Sequence, residues 1–199
     1  MERTMSGILI AGTSHVGKST FASRLRKALG WNLVSTDSLA RHPGRPWPTI
    51  RPAVAEYYSN LSPETIYWFL KVHHENMWPL VQQQIESFGH DGQHFICEGT
   101  ALRPEYLATL NASSTECICL YAEDDFLLSR MRSEAAYDRT ERSLRHIIDK
   151  FIERSLRDNS ELKASAQRNN IRLVNAADRI EVNELYERLL QRARSDYAK

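Results

Sequence analysis

The sequence predicts an α/β fold, in which helices cover both faces of a parallel sheet. Five short runs rich in apolar and β-branched residues occur along the 199-residue chain, and each precedes a segment with helical periodicity or a helix-start signal. The five runs are SGILIAG, NLVST, HFICEG, ECICLYAE and IRLVNA. Strands that alternate with helices in this way form parallel sheets, because the connection between parallel strands is long enough to hold a helix.

Length and composition predict one domain over residues 1–199. The chain is 42% hydrophobic and 26% charged, with a net charge of +1, which is typical of a protein that buries one core. No run of about 18 apolar residues occurs and no signal-peptide pattern is complete, so we expect neither membrane insertion nor secretion. Cys117 and Cys119 alternate with apolar residues, which favours buried thiols and a reducing cytoplasm.

The amino-terminal third of the chain is basic. Its first 60 residues carry eight Lys or Arg side chains against three Asp or Glu side chains. A basic third in an otherwise balanced chain favours a small anionic ligand over nucleic acid, which would normally raise the charge of the whole domain. We therefore expect a small-molecule partner.

The residues after the first strand match the nucleotide-binding pattern G-x-x-x-x-G-K-[ST]. The match precedes the predicted helix KSTFASRLRKALG, and a helix N-terminus is where phosphate binds. Gly12 and Gly17 let backbone N–H groups curl around the α- and β-phosphates, while Lys18 reaches the β/γ oxygens and Ser19 holds Mg²⁺. The expected nucleotide contacts are Gly12, Thr13, Ser14, His15, Val16, Gly17, Lys18, Ser19 and Thr20. Because Ser14 and His15 occupy variable loop positions, we expect their side chains to face solvent or substrate.

With this motif the chain resembles the P-loop small-molecule kinases, which include adenylate, shikimate, gluconate and 2-phosphoglycerate kinases. The resemblance implies a P-loop NTPase fold with sheet order 2-3-1-4-5, and phosphoryl transfer from ATP with Mg²⁺ to a small-molecule hydroxyl or phosphate. It also implies that Asp37, in the sequence STDS, faces the P-loop and assists the acceptor hydroxyl and Mg²⁺. The alternative is that Asp37 only caps a short helix.

The same resemblance assigns two residues after the third strand. Glu98, in HFICEGT, takes the place of a Walker B carboxylate beside Mg²⁺, and the alternative is a strand-end Glu that bonds to loop amides. The sequence EGTALRP is similar to a pattern in 2-phosphoglycerate kinases, which would place Arg103 near the substrate.

An arginine-rich lid is implied over residues 130–146. Its arginines are Arg130, Arg132, Arg139, Arg142 and Arg145. Guanidinium groups are planar and permanently charged, so they suit the charge that spreads over a transferring phosphoryl group. We expect Arg130 and Arg139 to be catalytic. The alternative is an exposed helix in which these arginines pair with Glu134, Asp138 and Glu141.

The longest insertion, residues 40–90, is expected to bind the acceptor. It opens with the stiff loop RHPGRPWP and continues as a helix from Ser62 and Pro63, which Pro79 should kink or split. The predicted inner face of this helix is Ile66, Phe69, Leu70, His73, Met77, Leu80 and Ile85. Arg41 and Arg45 lie among aromatic residues, and together with Arg103 they are the expected acceptor contacts.

Two other functions fit the same motifs. A kinase of nucleotides or nucleic-acid ends would share every motif and differ only in its acceptor pocket. A non-catalytic nucleotide-dependent switch is disfavoured, because no N-K-x-D motif for guanine is present and the arginine-rich lid suits transfer.

Overall fold

The computed structural model describes residues 5–39, 43–110 and 114–197, with side chains to residue 194. Five strands are formed: β1 (Gly7–Gly12), β2 (Asn32–Ser35), β3 (Phe95–Glu98), β4 (Thr115–Tyr121) and β5 (Arg172–Asn175). The helices are α1 (Lys18–Leu29), α2 (Pro52–Asn60), α3 (Pro63–His90), α4 (Pro104–Leu107), α5 (Asp124–Glu134), α6 (Arg142–Arg168) and α7 (Arg179–Tyr197). Two 3-10 turns cover Thr36–Ser38 and Tyr137–Arg139. Within the described ranges, none of these helices is both long and apolar enough to span a membrane.

The five strands form one parallel sheet in the order β2-β3-β1-β4-β5, which confirms the predicted fold class and strand order. Glu98 at the end of β3 lies opposite Ile10 of β1 on one side and Ser35 of β2 on the other. The carboxyl ends of these three strands therefore meet at one edge of the sheet, and the segments that follow them are neighbours there.

Alternate residues of β1 enter the two hydrophobic clusters of the protein. Ile8 and Ile10 pack in a cluster that includes residues of α1 and α7, whereas Leu9 and Ala11 pack in a cluster that includes the second half of α3. All four side chains are fully buried. A central strand with both faces buried reads as a continuous apolar run, which explains why ILIA was recognisable in the sequence.

Helix α3 begins as predicted, and its buried face shares Ile66, Leu70, Met77 and Ile85 with the predicted one. Ser62 caps it, since its Oγ accepts a hydrogen bond of 3.2 Å from the Thr65 amide. The helix is continuous to His90, so Pro79 does not split it. Its buried residues are Ile66, Tyr67, Leu70, His74, Met77, Val81, Ile85 and Phe88. Phe69 and Leu80, both predicted on the inner face, are 44% and 52% exposed. Exposed apolar residues lie next to the buried face of α3. Hydrophobic periodicity alone therefore did not show which of them would be buried.

Candidate active site

A cavity of about 490 Å³ opens where the carboxyl ends of the central strands meet. Residues from the P-loop, from the segments after β2 and β3, and from α3, α5 and α6 line it. The lining residues are Ser14, His15, Gly17, Lys18, Ser19, Thr20, Asp37, Gly44, Arg45, Leu70, Thr100, Arg130, Glu134, Phe151, Arg154 and Asp158. Parallel sheets commonly bind ligands at this edge.

The loop between β1 and α1 has the geometry that phosphate binding needs. Gly12 has φ +144°, and a Cβ placed there would lie 2.6 Å from the Leu120 carbonyl oxygen, so a larger residue would clash. Gly17 is the N-cap of α1 and no side chain caps this helix. The first N–H groups of α1 therefore remain available to anionic oxygens.

Lys18 lies across the P-loop and is buried. Its Nζ donates a hydrogen bond of 2.8 Å to the Thr13 carbonyl, and the Thr13 hydroxyl donates one of 3.0 Å to the Ser155 carbonyl of α6. Burial lowers the pKa of the Lys18 amine, and the carboxylates of Glu98, Asp37 and Asp158 oppose that shift. These three carboxylates thus favour the charged form of the lysine, which lines the cavity.

Asp37 is not the cap of the turn that holds it. The N-cap of the Thr36–Ser38 turn is Ser35, whose carbonyl accepts a 2.6 Å hydrogen bond from the Ser38 hydroxyl. Asp37 is exposed and lines the cavity. The backbone of Gly99 approaches this turn so closely that a Cβ on it would lie 1.8 Å from Thr36 Oγ1. The end of β3 therefore packs directly against the turn that presents Asp37.

Glu98 and Ser19, the other expected metal ligands, lie around the same loop. Glu98 is 5% exposed and is close enough to influence the Lys18 amine, while Ser19 lines the cavity at the first turn of α1. Among the described residues, no group of three or more His, Cys, Asp or Glu could hold a metal ion alone. This donor set fits Mg²⁺, which keeps several waters and binds through one or two protein oxygens plus substrate phosphates.

His15 joins the P-loop to the acceptor loop and to α5. Its side chain is 6% exposed and lines the cavity, so of the two expected positions, facing solvent or facing substrate, the structure favours the second. The ring lies 5.5 Å from Trp47 and 5.8 Å from Phe151, centroid to centroid, and Nε2 lies 2.9 Å from Glu134 Oε2. Burial lowers the pKa of His15 to about 4, and the nearby Glu134 carboxylate offsets only part of this effect. The neutral ring therefore packs against Trp47 and Phe151, which also contact each other.

Arg45 lines the cavity, but an acidic side chain already holds its guanidinium. Glu134 Oε1 forms a close ion pair with Arg45 Nη1 and accepts a 3.4 Å hydrogen bond from Trp47 Nε1. Glu134 therefore connects α5 to the loop that was expected to bind the acceptor.

The lid arginines separate into two groups. Arg130 lines the cavity beside Gly17, where a Cβ placed on the glycine would lie 3.7 Å from Arg130 Nη1. Arg139 is exposed and contributes to a separate surface hollow that includes Arg132. Arg145 donates to the Thr140 and Asp138 carbonyls, so it fixes the connection between α5 and α6. Of the two arginines predicted to be catalytic, only Arg130 reaches the cavity in this structure.

Known proteins support the fold. No family model matches this chain, and neither does any curated protein sequence. Shikimate kinase from Acinetobacter baumannii, solved with shikimate, aligns over 98% of this chain and 97% of its own, with a TM-score of 0.52 and 16% identity. Deoxyadenosine kinase from M. mycoides, solved with dCMP and dCDP, aligns over 95% and 99%, with the same score and identity. Shikimate kinase from Bacteroides thetaiotaomicron aligns over 94% and 98%, with a TM-score of 0.51 and 16% identity.

The chain has the fold of the P-loop small-molecule kinases. This confirms, at the level of the fold, the resemblance that the P-loop motif indicated. Both the sheet order and the place of the phosphate-binding loop in it agree with that resemblance.

Two of the three expected acceptor contacts, Arg103 and Arg41, are not among the described residues that line the cavity. The side chain of Arg103 is 3% exposed, and Arg103 is not among the residues that line the cavity. It donates hydrogen bonds of 2.6 Å to Glu105 and 3.1 Å to Asp158. Its guanidinium is held by these carboxylates, which is a structural role, and its contact with the acceptor stays a prediction. Arg41 lies outside the described residues.

Helix α6 supplies site residues that the sequence analysis did not identify. Arg154 and Asp158 both line the cavity, and they are 6% and 1% exposed. A signal was present, because polar residues occupy positions that continue the apolar face of an amphipathic helix. That face runs Ile148, Phe151, Ser155, Asp158, Asn159, Leu162 and Ala166, and all seven are buried. Several polar residues on an apolar stripe indicate a buried polar site.

Proposed function

We propose that this protein transfers a phosphoryl group from ATP to a hydroxyl or phosphate of a small molecule, in a reaction that requires Mg²⁺. The observation that supports this most is the convergence of Lys18, Asp37 and Arg130 on one cavity at the mouth of a complete P-loop. These are a phosphate-binding cation, a potential base and a second cation, which together are the groups that phosphoryl transfer uses.

Each of these residues has a role that its position permits. Lys18 and the free N–H groups of α1 bind the phosphate oxygens of the donor. Arg130, beside Gly17, stabilises charge on the phosphoryl group during transfer. Asp37 orients the acceptor hydroxyl or accepts its proton. Bound Mg²⁺ would neutralise phosphate charge, with Ser19, Asp37 and Glu98 as the residues that hold it.

The acceptor decides between the variants of this function. Nucleoside, nucleotide and oligonucleotide acceptors belong in an assay panel with sugars and hydroxy acids, because the fold is shared by kinases of both groups. Acceptor-dependent ATP consumption would support a kinase, and the panel member that is consumed would identify its class. Slow hydrolysis that no acceptor accelerates would indicate a nucleotide-dependent switch instead.

A thermal-shift experiment tests nucleotide binding first. ATP with Mg²⁺ at about one hundred times Kd should stabilise the wild type by roughly 2.7 kcal/mol. Lys18→Ala should lose most of this gain, because the buried amine no longer meets the phosphates. Lys27→Ala is the matched control, since Lys27 is exposed in the last turn of the same helix. Equal ATP-induced shifts in Lys18→Ala and Lys27→Ala would contradict the proposed function.

We further propose that the protein works in a reducing, cytoplasmic environment. All three cysteines are free, and burial raises the pKa of each thiol to about 12. Thiols of this kind do not depend on an oxidising compartment.

A further inference from the structure

Arg154 is a buried cation without a carboxylate partner. Its residue is 6% exposed, and it forms no ion pair with any Asp or Glu in the part of the chain that the structure describes. Nη2 donates hydrogen bonds of 3.3 Å to the Ser14 hydroxyl and 3.1 Å to the Ser155 hydroxyl. Cζ lies 4.4 Å from the centroid of the Phe151 ring. Nε has no hydrogen-bond partner among the described residues.

A guanidinium in this position is unfavourable unless an anion joins it. Buried charges are normally paired, because the lost hydration is not recovered from neutral partners. Asp158 lies one helical turn further along α6, but its Oδ1 accepts the 3.1 Å hydrogen bond from Arg103. The acid that could have neutralised Arg154 is therefore engaged elsewhere, and the positive charge of Arg154 faces the cavity.

Arg154 lies where the P-loop meets the insertion of residues 40–90. It lines both the main cavity and an adjoining aromatic pocket, which is formed by Pro43, Tyr57, Tyr58, Phe69, Leu70 and His73. These residues come from the 40–90 insertion, whereas Arg130 lies beside Gly17 at the start of α1. Arg154 thus adjoins the aromatic pocket of the insertion, and Arg130 is not among the residues that line that pocket.

The aromatic pocket is lined mainly by apolar and aromatic side chains and offers few hydrogen-bond donors to a ligand. The hydroxyls of Tyr57 and Tyr58 donate to the Ile66 and Gly44 carbonyls, at 3.2 and 3.1 Å. The pocket volume of about 10 Å³ is near that of one water-sized sphere, so the body of an acceptor must lie in the main cavity. Arg154 is then the strong donor at the junction of the two spaces.

We propose that Arg154 binds a carboxylate or phosphate group of the acceptor, so that the phosphorylated molecule is a small organic anion. This inference rests on the proposed function and specifies its substrate class. The permanent charge of the guanidinium attracts either group, and an N–H that serves neither Ser14 nor Ser155 can donate a hydrogen bond to it. No bond to Arg154 forms or breaks, because its role is to bind and position the acceptor.

Matched acceptor pairs test the charge requirement. ATP consumption is measured with D-gluconate against D-glucose, shikimate against its methyl ester, and glycerol 3-phosphate against glycerol. The anionic member of an active pair should be consumed and the neutral one should not. In Arg154→Met the acceptor KM should rise by at least about 30-fold, while the Kd for ATP stays within about twofold. Arg154→Lys should recover part of the loss, since it restores the charge without the shape and N–H geometry of a guanidinium.

A second measurement does not require the acceptor. With ATP-site occupancy maintained by a non-hydrolysable ATP analogue and Mg²⁺, inorganic phosphate or acetate should raise the melting temperature of the wild type and of Arg157→Met. Arg157 is the control, because it is an exposed arginine on the same helix. Arg154→Met should show no such rise. Without ligands it should melt at or above the wild-type temperature, since an unpaired buried cation has been removed.

The possible failures can be told apart. Equal consumption of neutral and anionic acceptors, or equal phosphate and acetate shifts in Arg154→Met and wild type, would overturn the inference. A fall in kcat with unchanged acceptor KM would instead assign Arg154 to the transferred phosphoryl group, which also overturns it. If ATP fails to stabilise the wild type, the proposed function itself is wrong, whatever Arg154 does.

Discussion

The two ends of the cavity are built in different ways. The donor end is a single stretch of chain, the loop of residues 12–19 between β1 and α1, and its backbone geometry supplies most of the binding groups. The acceptor end combines side chains from separate segments, among them Asp37 after β2, Arg45 before α2 and Arg154 on α6. In the proposed function a local motif binds the donor phosphates, and dispersed positions define the acceptor.

The same contrast holds between the two buried arginines that flank Asp158. Arg103 is paired with Glu105 and Asp158, whereas Arg154 contacts only hydroxyls and the ring of Phe151. Burial alone therefore does not distinguish a structural arginine from a binding one. On the inference above, the presence or absence of a carboxylate partner does.

The largest expected effect is on turnover, at the residue where the two ends meet. Asp37→Asn cannot accept a proton, so kcat with the identified acceptor should fall by about 10²- to 10⁴-fold while ATP affinity stays near wild type. Asp91→Asn, an exposed aspartate at the end of α3, is the control and should leave kcat unchanged. Recovery of Asp37→Asn at high Mg²⁺ would assign the residue to the metal. Normal kcat at ordinary Mg²⁺ would remove it from the mechanism.

The next effect is on stability, and it tests the contrast between the arginines. Arg103→Met leaves the Asp158 carboxylate buried without its partner, so the free energy of unfolding should fall by about 3–5 kcal/mol in urea titrations. Arg157→Met removes an arginine that pairs with Glu64 and Glu161 at a side-chain exposure of 44%, and should lose less than about 1 kcal/mol. Similar losses in the two variants would show that Arg103 is not a structural ion-pair partner.

Arg130 and Arg139 provide a matched pair within the lid. Arg130→Ala should reduce kcat by up to about 10³-fold, with a smaller change in ATP affinity, because its interaction is strongest during transfer. Arg139→Ala should retain wild-type kcat, since Arg139 is exposed outside the cavity. Steady-state kinetics on both variants decide the question. A comparable loss in Arg139→Ala would mean that the lid closes and brings this residue to the phosphates.

The sheet and the donor end could be predicted from the sequence because their signals are local. Each strand is a compact apolar run, and the phosphate-binding loop depends on residues within eight positions of one another. The order of the strands required the resemblance to known kinases, since periodicity does not determine which strands are neighbours. The inner face of α3 was predicted only in part, because exposed Phe69 and Leu80 border the buried stripe and fit the helical period equally well.

The acceptor end was less predictable because pairing between distant residues decides it. The residue type of Arg103 and its closeness to the third strand favoured a substrate contact, but Asp158, which pairs with it, lies 55 positions away. Glu134 pairs with Arg45 and His15 rather than with nearby lid arginines, over separations that helix spacing does not reveal. Arg154 could not be identified from the sequence, because its proposed role depends on the lack of a carboxylate partner, which only the fold determines.

The smallest predicted effect concerns His15, which joins the two ends of the cavity. In the unfolded chain, His15 becomes protonated as the pH falls below about 6.5. In the folded protein its pKa is about 4, so it becomes protonated only when the pH approaches 4. Between these values the unfolded state holds more protons, so stability is complete above pH 6.5 and falls as the pH decreases towards 4. Solvent near the half-exposed Glu134 limits the loss to about 1–2 kcal/mol. His15→Asn, which tolerates the φ of +65°, should remove this part of the pH dependence in urea titrations, whereas His146→Asn, at an exposed position, should retain it. An unchanged pH dependence in His15→Asn would mean that the buried ring does not couple the P-loop and the acceptor loop to protonation.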